Sequence, residues 1–388
     1  MDGKIISFKS ANLILAGNGA LARIGEEARG LEVKRALVIT DKGVVAAGIC
    51  QRVEALLGDH GIGVEVFDGV LSDPDIACAQ AAIEMAKASS FDLMVGLGGG
   101  SAMDIASITS VMCRNQGTVR DYFGINLVKN PGIPTFLIPT TAGTGAEVTP
   151  NAILTDVDEK LKKAIVSPYI LPRVAIVDPT LTLSMPPRVT AFSGMDALTH
   201  AIEAFTSVNA TALTDIFARE AVVLIGRSLR TAVAKGENLA ARHDMLMGSL
   251  YAGIALANAG VTAVHALAYP LGGEFDVPHG IANGLLLPYV MEVNARGDIP
   301  KFAQVARLLG ERVDHLPLLD QALRSAEAVK ALYRDLPVPQ SLAELKIPQK
   351  AIPEMAAAAM KITRLMGNNP VNMTAEDAER VYQNAYGR

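Results

Sequence analysis

Strand-like and helix-like segments alternate through the first half of this chain, and strand-like segments stop after Ser184-Met185-Pro186-Pro187. Short apolar, β-branched runs at 35–40, 63–67, 91–97, 133–138 and 173–177 read as strands, with helical patterns through 53–57 and 76–88 between them. Such alternation predicts a layered α/β domain. Beyond Pro187 the chain is Ala- and Leu-rich at helical spacing, interrupted near Pro278, Pro337-Val338-Pro339 and Asn368-Asn369-Pro370. The expected organisation is therefore an α/β domain over 1–186 and an all-helical domain over 187–388. Thr374-Ala375-Glu376-Asp377 has the pattern of a capping box opening the last helix.

With 388 residues, half of them hydrophobic, the chain can bury a large core. A formal charge of −5, with no basic run longer than Lys160-Leu161-Lys162-Lys163, argues against a nucleic-acid partner. Cys50, Cys78 and Cys113 are odd in number and lack CxxC spacing, so they read as buried thiols in a reducing cytoplasm. The start, Met1-Asp2-Gly3-Lys4-Ile5-Ile6-Ser7, has an early acid and no sustained apolar core, unlike a signal peptide. Met245 to Gly273 carries no charge and exceeds the roughly 20 residues a spanning helix needs. Its Asn258, Thr262, His265 and internal glycines fit a buried helix better than a membrane span.

Two loops suit a phosphate-containing ligand. Gly96-Leu97-Gly98-Gly99-Gly100-Ser101 follows an apolar strand and opens a helical pattern. Glycines there let backbone N–H groups reach a pyrophosphate without a Cβ in the way, and a helix N-terminus adds a favourable partial charge. Ser101 is the expected N-cap, with Asp104 as its partner. A tight turn without a ligand is the alternative reading. Asp41, at the end of an earlier strand, suits either a ribose hydroxyl or a helix cap, but it precedes the glycine loop, unlike the usual GxGxxG arrangement. Pro139-Thr140-Thr141-Ala142-Gly143-Thr144-Gly145 is a second polar loop after a strand.

Four side chains in the second half have the chemistry of a metal site: Asp196, His200, His265 and His279. Asp196 and His200 are spaced i, i+4, which puts both on one helical face, and Glu203 at i+7 shares it. His265 sits in the charge-free stretch, where an unpaired ring costs about 1–3 kcal/mol. One carboxylate and three imidazoles suit Fe²⁺ or Zn²⁺. His60, His243 and His315 lie among charged residues and read as surface groups. A cation alone supports hydrolysis; beside a dinucleotide it supports hydride transfer.

In this order the blocks 98–104, 140–150, 194–203 and 265–284 make the chain similar to the iron-containing, or group III, alcohol dehydrogenases over nearly its whole length. The resemblance implies a dinucleotide-binding α/β domain, an all-helical metal domain, and an active site in the cleft between them. It implies Asp196, His200, His265 and His279 as ligands of Fe²⁺ or Zn²⁺. Gly98, Gly99 and Ser101 would cradle the pyrophosphate of NAD, with Thr140, Thr141, Thr144 and Lys162 also at the cofactor. Asp41 would select NAD over NADP, since a carboxylate accepts ribose hydroxyls and repels a 2′-phosphate. The implied reaction interconverts a small primary alcohol and its aldehyde in a cytoplasmic homodimer or higher homo-oligomer. Polyol dehydrogenases and hydroxyacid–oxoacid transhydrogenases share the fold. The sequence departs from the family pattern at Tyr269, where many members carry a proton-relaying histidine; at Asp73-Pro74-Asp75, where Asn-Pro is frequent; and at Val371, where a basic residue is common. Tyr269 is the candidate relay here.

Overall fold

The computed structural model describes residues 5–159 and 161–387. Met1–Lys4 of the N-terminal reading and Lys160 of the basic run lie outside the described residues. The chain divides into two compact units: Ser10–Met185, and the residues from Pro186 onward together with those before Ser10. The N-terminal arm is held in the second unit by Asn258, which accepts from Lys9 N at 2.7 Å and donates to Lys9 O at 2.9 Å.

The strands of the first unit are β1 (Leu13–Ala16), β2 (Arg35–Ile39), β3 (Gly63–Phe67), β4 (Leu93–Gly98), β5 (Gly124–Ile125), β6 (Thr135–Pro139), β7 (Asn151–Asp156), β8 (Leu161–Val166) and β9 (Val174–Val177). Six of them form a parallel sheet in the order β1-β9-β6-β4-β2-β3. The helices between them are α1 (Ile24–Gly30), α2 (Lys42–Ala46), α3 (Ile49–Gly58), α4 (Ile76–Ala88) and α5 (Gly100–Met112).

Both faces of the sheet are covered, which is why its strands read as continuous apolar runs. Leu37, Ile39 and Met94 pack into one hydrophobic cluster with α4 and α5. Ala36, Val38, Leu93, Val95 and Leu97 pack into another with α1 and α3. From β2 the chain winds one way to β3, and from β4 it winds the other way to β6 and β9. The winding therefore reverses between β2 and β4, and a crevice at the carboxyl ends of such strands is where open α/β sheets bind ligands.

A second sheet, β5-β8-β7, was not expected from the sequence. Its β7–β8 hairpin pairs Thr155 with Lys162 and places Lys162 and Lys163 on a strand.

The second unit contains α6 (Pro187–Thr206), α7 (Ala212–Ala234), α8 (Leu239–Ala259), α9 (Ala263–Phe275), α10 (His279–Asn294), α11 (Ile299–Leu308), α12 (Leu318–Arg334), α13 (Ile352–Met360), α14 (Thr363–Met366) and α15 (Ala375–Tyr386). The capping box at α15 forms, with Thr374 Oγ1 accepting from Asp377 N at 3.1 Å and Asp377 from Thr374 N at 3.0 Å. Helix α6 is the centre of the unit. Its Met195, Leu198, Ile202 and Phe205 are buried, each burial favourable by about 1.5–3 kcal/mol.

The charge-free stretch folds as two buried helices, α8 and α9, bent by 103° at their junction. Gly260 makes this bend at φ 74°, a conformation that favours glycine. Among the described residues, no single helix is long and apolar enough to cross a membrane.

Candidate functional site

In the helical unit, Asp196, His200, His265 and His279 each direct one donor atom into a common space, all four atoms lying within 4.8 Å of one another. Asp196 and His200 come from adjacent turns of α6, His265 from the first turn of α9, and His279 from the start of α10. His200 Nε2 lies 3.0 Å from His265 Nε2, and Asp196 Oδ1 lies 3.9 and 3.8 Å from the Nε2 atoms of His200 and His279. Donors about 2.0–2.2 Å from a shared cation are separated by comparable distances. The arrangement therefore fits one ion. A glycine makes the convergence possible: any Cβ at Gly280 would clash with Phe192 O, so α10 rests directly on the backbone of α6.

Three of the four side chains are buried and His279 is partly exposed, which leaves one open side. Burial alone would raise the Asp196 carboxyl, but the three imidazoles and Asn283 bring it down to about 2. Glu203, one turn beyond His200, accepts from His265 Nδ1. Its other oxygen accepts from Thr262 N at 3.0 Å, Thr262 Oγ1 at 2.6 Å and Val264 N at 2.8 Å. One buried carboxylate thus satisfies the otherwise orphaned N-terminal amides of α9 and fixes the His265 tautomer, leaving Nε2 for a cation. Burial opposes its ionisation, yet the His265 ring and these donors hold Glu203 below its usual range.

Tyr269 is on α9, one turn after His265, with its ring centroid 6.5 Å from that of His279. Burial pushes its phenol above the ordinary value near 10. Asn283, on α10, was not anticipated; its Nδ2 lies within 3.1 Å of three of the four donor atoms. Spacing offered a signal, because Asn283 is i+4 from His279 on the same helical face.

The cofactor candidates lie in the α/β unit. The glycine loop closes β4 and starts α5, at the point where the winding reverses. Gly98 has φ 151°, and a Cβ there would stand 2.8 Å from Ala102 Cβ and 3.3 Å from Asp41 Oδ2. Side chains at Gly99 and Gly100 would press on Thr141, at 3.4 Å, and on Thr144, at 2.8 Å. Thr140 N donates to Gly98 O at 2.9 Å. Close packing against Ala102, Asp41, Thr141 and Thr144 therefore requires glycine at 98–100 and gathers Asp41, Thr140, Thr141 and Thr144 around the partly exposed backbone of Gly99 and Gly100. That surface suits a ligand which must approach the main chain closely.

At Ser101, Asp41, Lys162 and His60 the structure changes or adds to what the sequence suggested. The N-cap of α5 is Gly99, so Ser101 lies inside the first turn, partly exposed, and Asp104 instead accepts from Ile153 N at 3.1 Å. Asp41 does cap α2, its Oδ1 accepting from Gly43 N at 2.8 Å and Val44 N at 3.1 Å, while Oδ2 faces Gly98. The two readings of Asp41 are thus compatible. Lys162 is on β8 and forms an ion pair with Asp73, the residue standing where asparagine is frequent. His60 is not a simple surface group; it packs over Gly25 and bonds Leu56 O at 3.0 Å.

Two family models match the chain: "Iron-containing alcohol dehydrogenase" over residues 11–179, and "Fe-containing alcohol dehydrogenase family, C-terminal" over residues 190–386. Long-chain-alcohol dehydrogenase 1 of Geobacillus thermodenitrificans (strain NG80-2) is 40% identical over 373 residues, covering 95% of this chain and 94% of its own. A crystal structure of a 1,3-propanediol oxidoreductase superposes with a TM-score of 0.96 at 37% identity, covering 99% of this chain and 100% of that one. The sulfoacetaldehyde reductase of Bifidobacterium kashiwanohense, solved in complex with NAD+, gives a TM-score of 0.88 at 31% identity over 99% of each chain.

Proposed function

This chain belongs to the iron-containing alcohol dehydrogenase family, and from that premise we propose that it interconverts a small primary alcohol and its aldehyde by hydride transfer with NAD(H). The observation that carries the reading is the convergence of Asp196, His200, His265 and His279 on one ion-sized space. These four would hold a divalent cation, Fe²⁺ or Zn²⁺, which supplies Lewis-acid polarisation of the substrate oxygen.

The side chains do the rest by placement. Glu203 keeps His265 in the tautomer whose Nε2 lone pair faces the space. Tyr269, its ring 6.5 Å from that of His279 and its phenol protonated at neutral pH, would be a proton donor that cannot titrate there as a histidine would. In the α/β unit, Gly98, Gly99 and Ser101 would take the pyrophosphate on backbone amides at the N-terminus of α5. Asp41 Oδ2 would receive ribose hydroxyls and disfavour a 2′-phosphate. Thr140, Thr141, Thr144 and Lys162 complete the proposed cofactor set.

The reading further includes a cytoplasmic enzyme that assembles as a homodimer or higher homo-oligomer. Supporting this, β1 is an edge strand of the parallel sheet with an open side, and the three cysteines are free thiols. Light scattering on the purified protein tests the assembly.

Anaerobic purification, elemental analysis and an NADH-oxidation screen of short aldehydes test the function. One Fe or Zn per chain with aldehyde-dependent NADH oxidation is expected. Metal binding with hydrolytic turnover and no response of NADH fluorescence would instead favour a hydrolase.

A further inference from the structure

Asn283 contacts three of the four candidate ligands. Its Nδ2 lies 2.7 Å from Asp196 Oδ1, 3.0 Å from His279 Nε2 and 3.1 Å from His265 Nε2. The residue is completely buried, and its Oδ1 has no hydrogen-bond partner among the described residues. Buried amides are normally satisfied at both ends, so a side chain needed only to fill this space would be better as leucine. The function must therefore reside at the nitrogen. An imidazole Nε2 has one lone pair, which a cation would take, whereas a carboxylate oxygen has room for both a cation and an N–H donor. The contact that survives cation binding is the one with Asp196. Close helix packing sets its geometry: beside Asn283, a Cβ on Gly284 would stand only 2.9 Å from Met195 Cβ, so α10 lies directly against α6.

We propose that Asn283 is a positioning residue of the metal centre: by donating to Asp196 Oδ1 it fixes the rotation of that carboxylate, so that Asp196 meets the cation together with the three imidazoles. The proposal rests on the metal-centre reading above. A neutral donor suits the task, because an ammonium would repel the cation and a carboxylate would repel Asp196.

The test compares wild type with Asn283→Leu and Asn283→Ala, the smaller variant guarding against overpacking by leucine. Dissociation constants for Zn²⁺, and anaerobically for Fe²⁺, are measured by chelator competition; visible spectra are recorded with Co²⁺; and thermal stability is measured without metal. Metal affinity roughly 10–100-fold weaker in both variants is expected, with Co²⁺ band intensities like those of wild type because the same donors remain. Wild-type affinity in the variants overturns the proposal, as does a fall in metal-free stability alone, which would mark a purely structural residue. Co²⁺ bands that intensify as a ligand is lost also overturn it, since Asn283 would then coordinate directly. If wild type itself takes up no cation, the metal-centre reading fails, and that result is distinct from the others.

Discussion

Replacing Glu203 by glutamine perturbs the metal centre while leaving all four proposed ligands in place. Glutamine keeps one carbonyl oxygen, which can still accept from Thr262 N, Thr262 Oγ1 and Val264 N at the N-terminus of α9. Its other end becomes an NH₂ group opposite His265 Nδ1, where the carboxylate now accepts. Two donors then face each other unless the ring moves its proton to Nε2, which removes the lone pair available to a cation. A hydrogen bond to a charged group contributes about 1.5–3 kcal/mol. At about 1.4 kcal/mol per decade, that corresponds to roughly 10–100-fold in metal affinity, the range expected for a carboxylate supporting a metal-bound histidine. Loss of the charge at the N-terminus of α9 costs about 0.3–1 kcal/mol of fold stability, reaching about 2 when buried. Chelator competition should therefore show a dissociation constant one to two decades weaker for Glu203→Gln, with a folded protein by circular dichroism. Unchanged affinity in a folded variant would refute the reasoning. Glu203→Ala should be far more damaging, because each buried donor left unsatisfied costs about 1–3 kcal/mol.

Three further outcomes are expected. Tyr269→Phe should lower turnover while leaving metal affinity intact, whereas Tyr269→His should add an ionisation near neutral pH to the rate profile, because imidazole titrates near 6.5 and this phenol above 10; superimposable pH–rate profiles would remove Tyr269 from the relay. Asp73→Asn frees Lys162 from a partly exposed ion pair worth about 0.2–1 kcal/mol, so fluorescence titration should show NADH bound up to about five-fold more tightly, and weaker binding would contradict the cofactor role of Lys162. Burial pushes Asp104 from 3.8 up to about 8 against the opposing Ile153 N–H and Lys162. A carboxyl raised in the fold supports stability below its unfolded value and loses that support as pH rises toward 8, so Asp104→Asn should flatten the decline in Tm between pH 4 and pH 8; parallel curves for both proteins would contradict this.

The parallel sheet was legible because both faces of its strands are buried, so runs such as 35–40 and 91–97 are apolar without interruption. The β7–β8 hairpin was not legible, since it mixes lysines and aspartates with apolar residues and has one half-exposed face. At the metal centre, Asp196, His200 and Glu203 were readable from helical spacing alone. His265 and His279 could be proposed from type and context, but only the fold brings α9 and α10 onto α6. Asn283 escaped because asparagine is a common residue and its role depends on contacts with three helices. The expected cap at Ser101 moved to Gly99 because helix α5 starts inside the glycine loop, before the first side chain able to cap it.

The central claim is that one aspartate and three histidines share a single divalent cation. Crystals grown anaerobically with Fe²⁺ and measured on both sides of the iron absorption edge test it directly. One anomalous peak about 2.0–2.2 Å from Asp196 and from a ring nitrogen of His200, His265 and His279 is expected. A peak elsewhere, or none at this site in crystals of protein that carries iron, would contradict it.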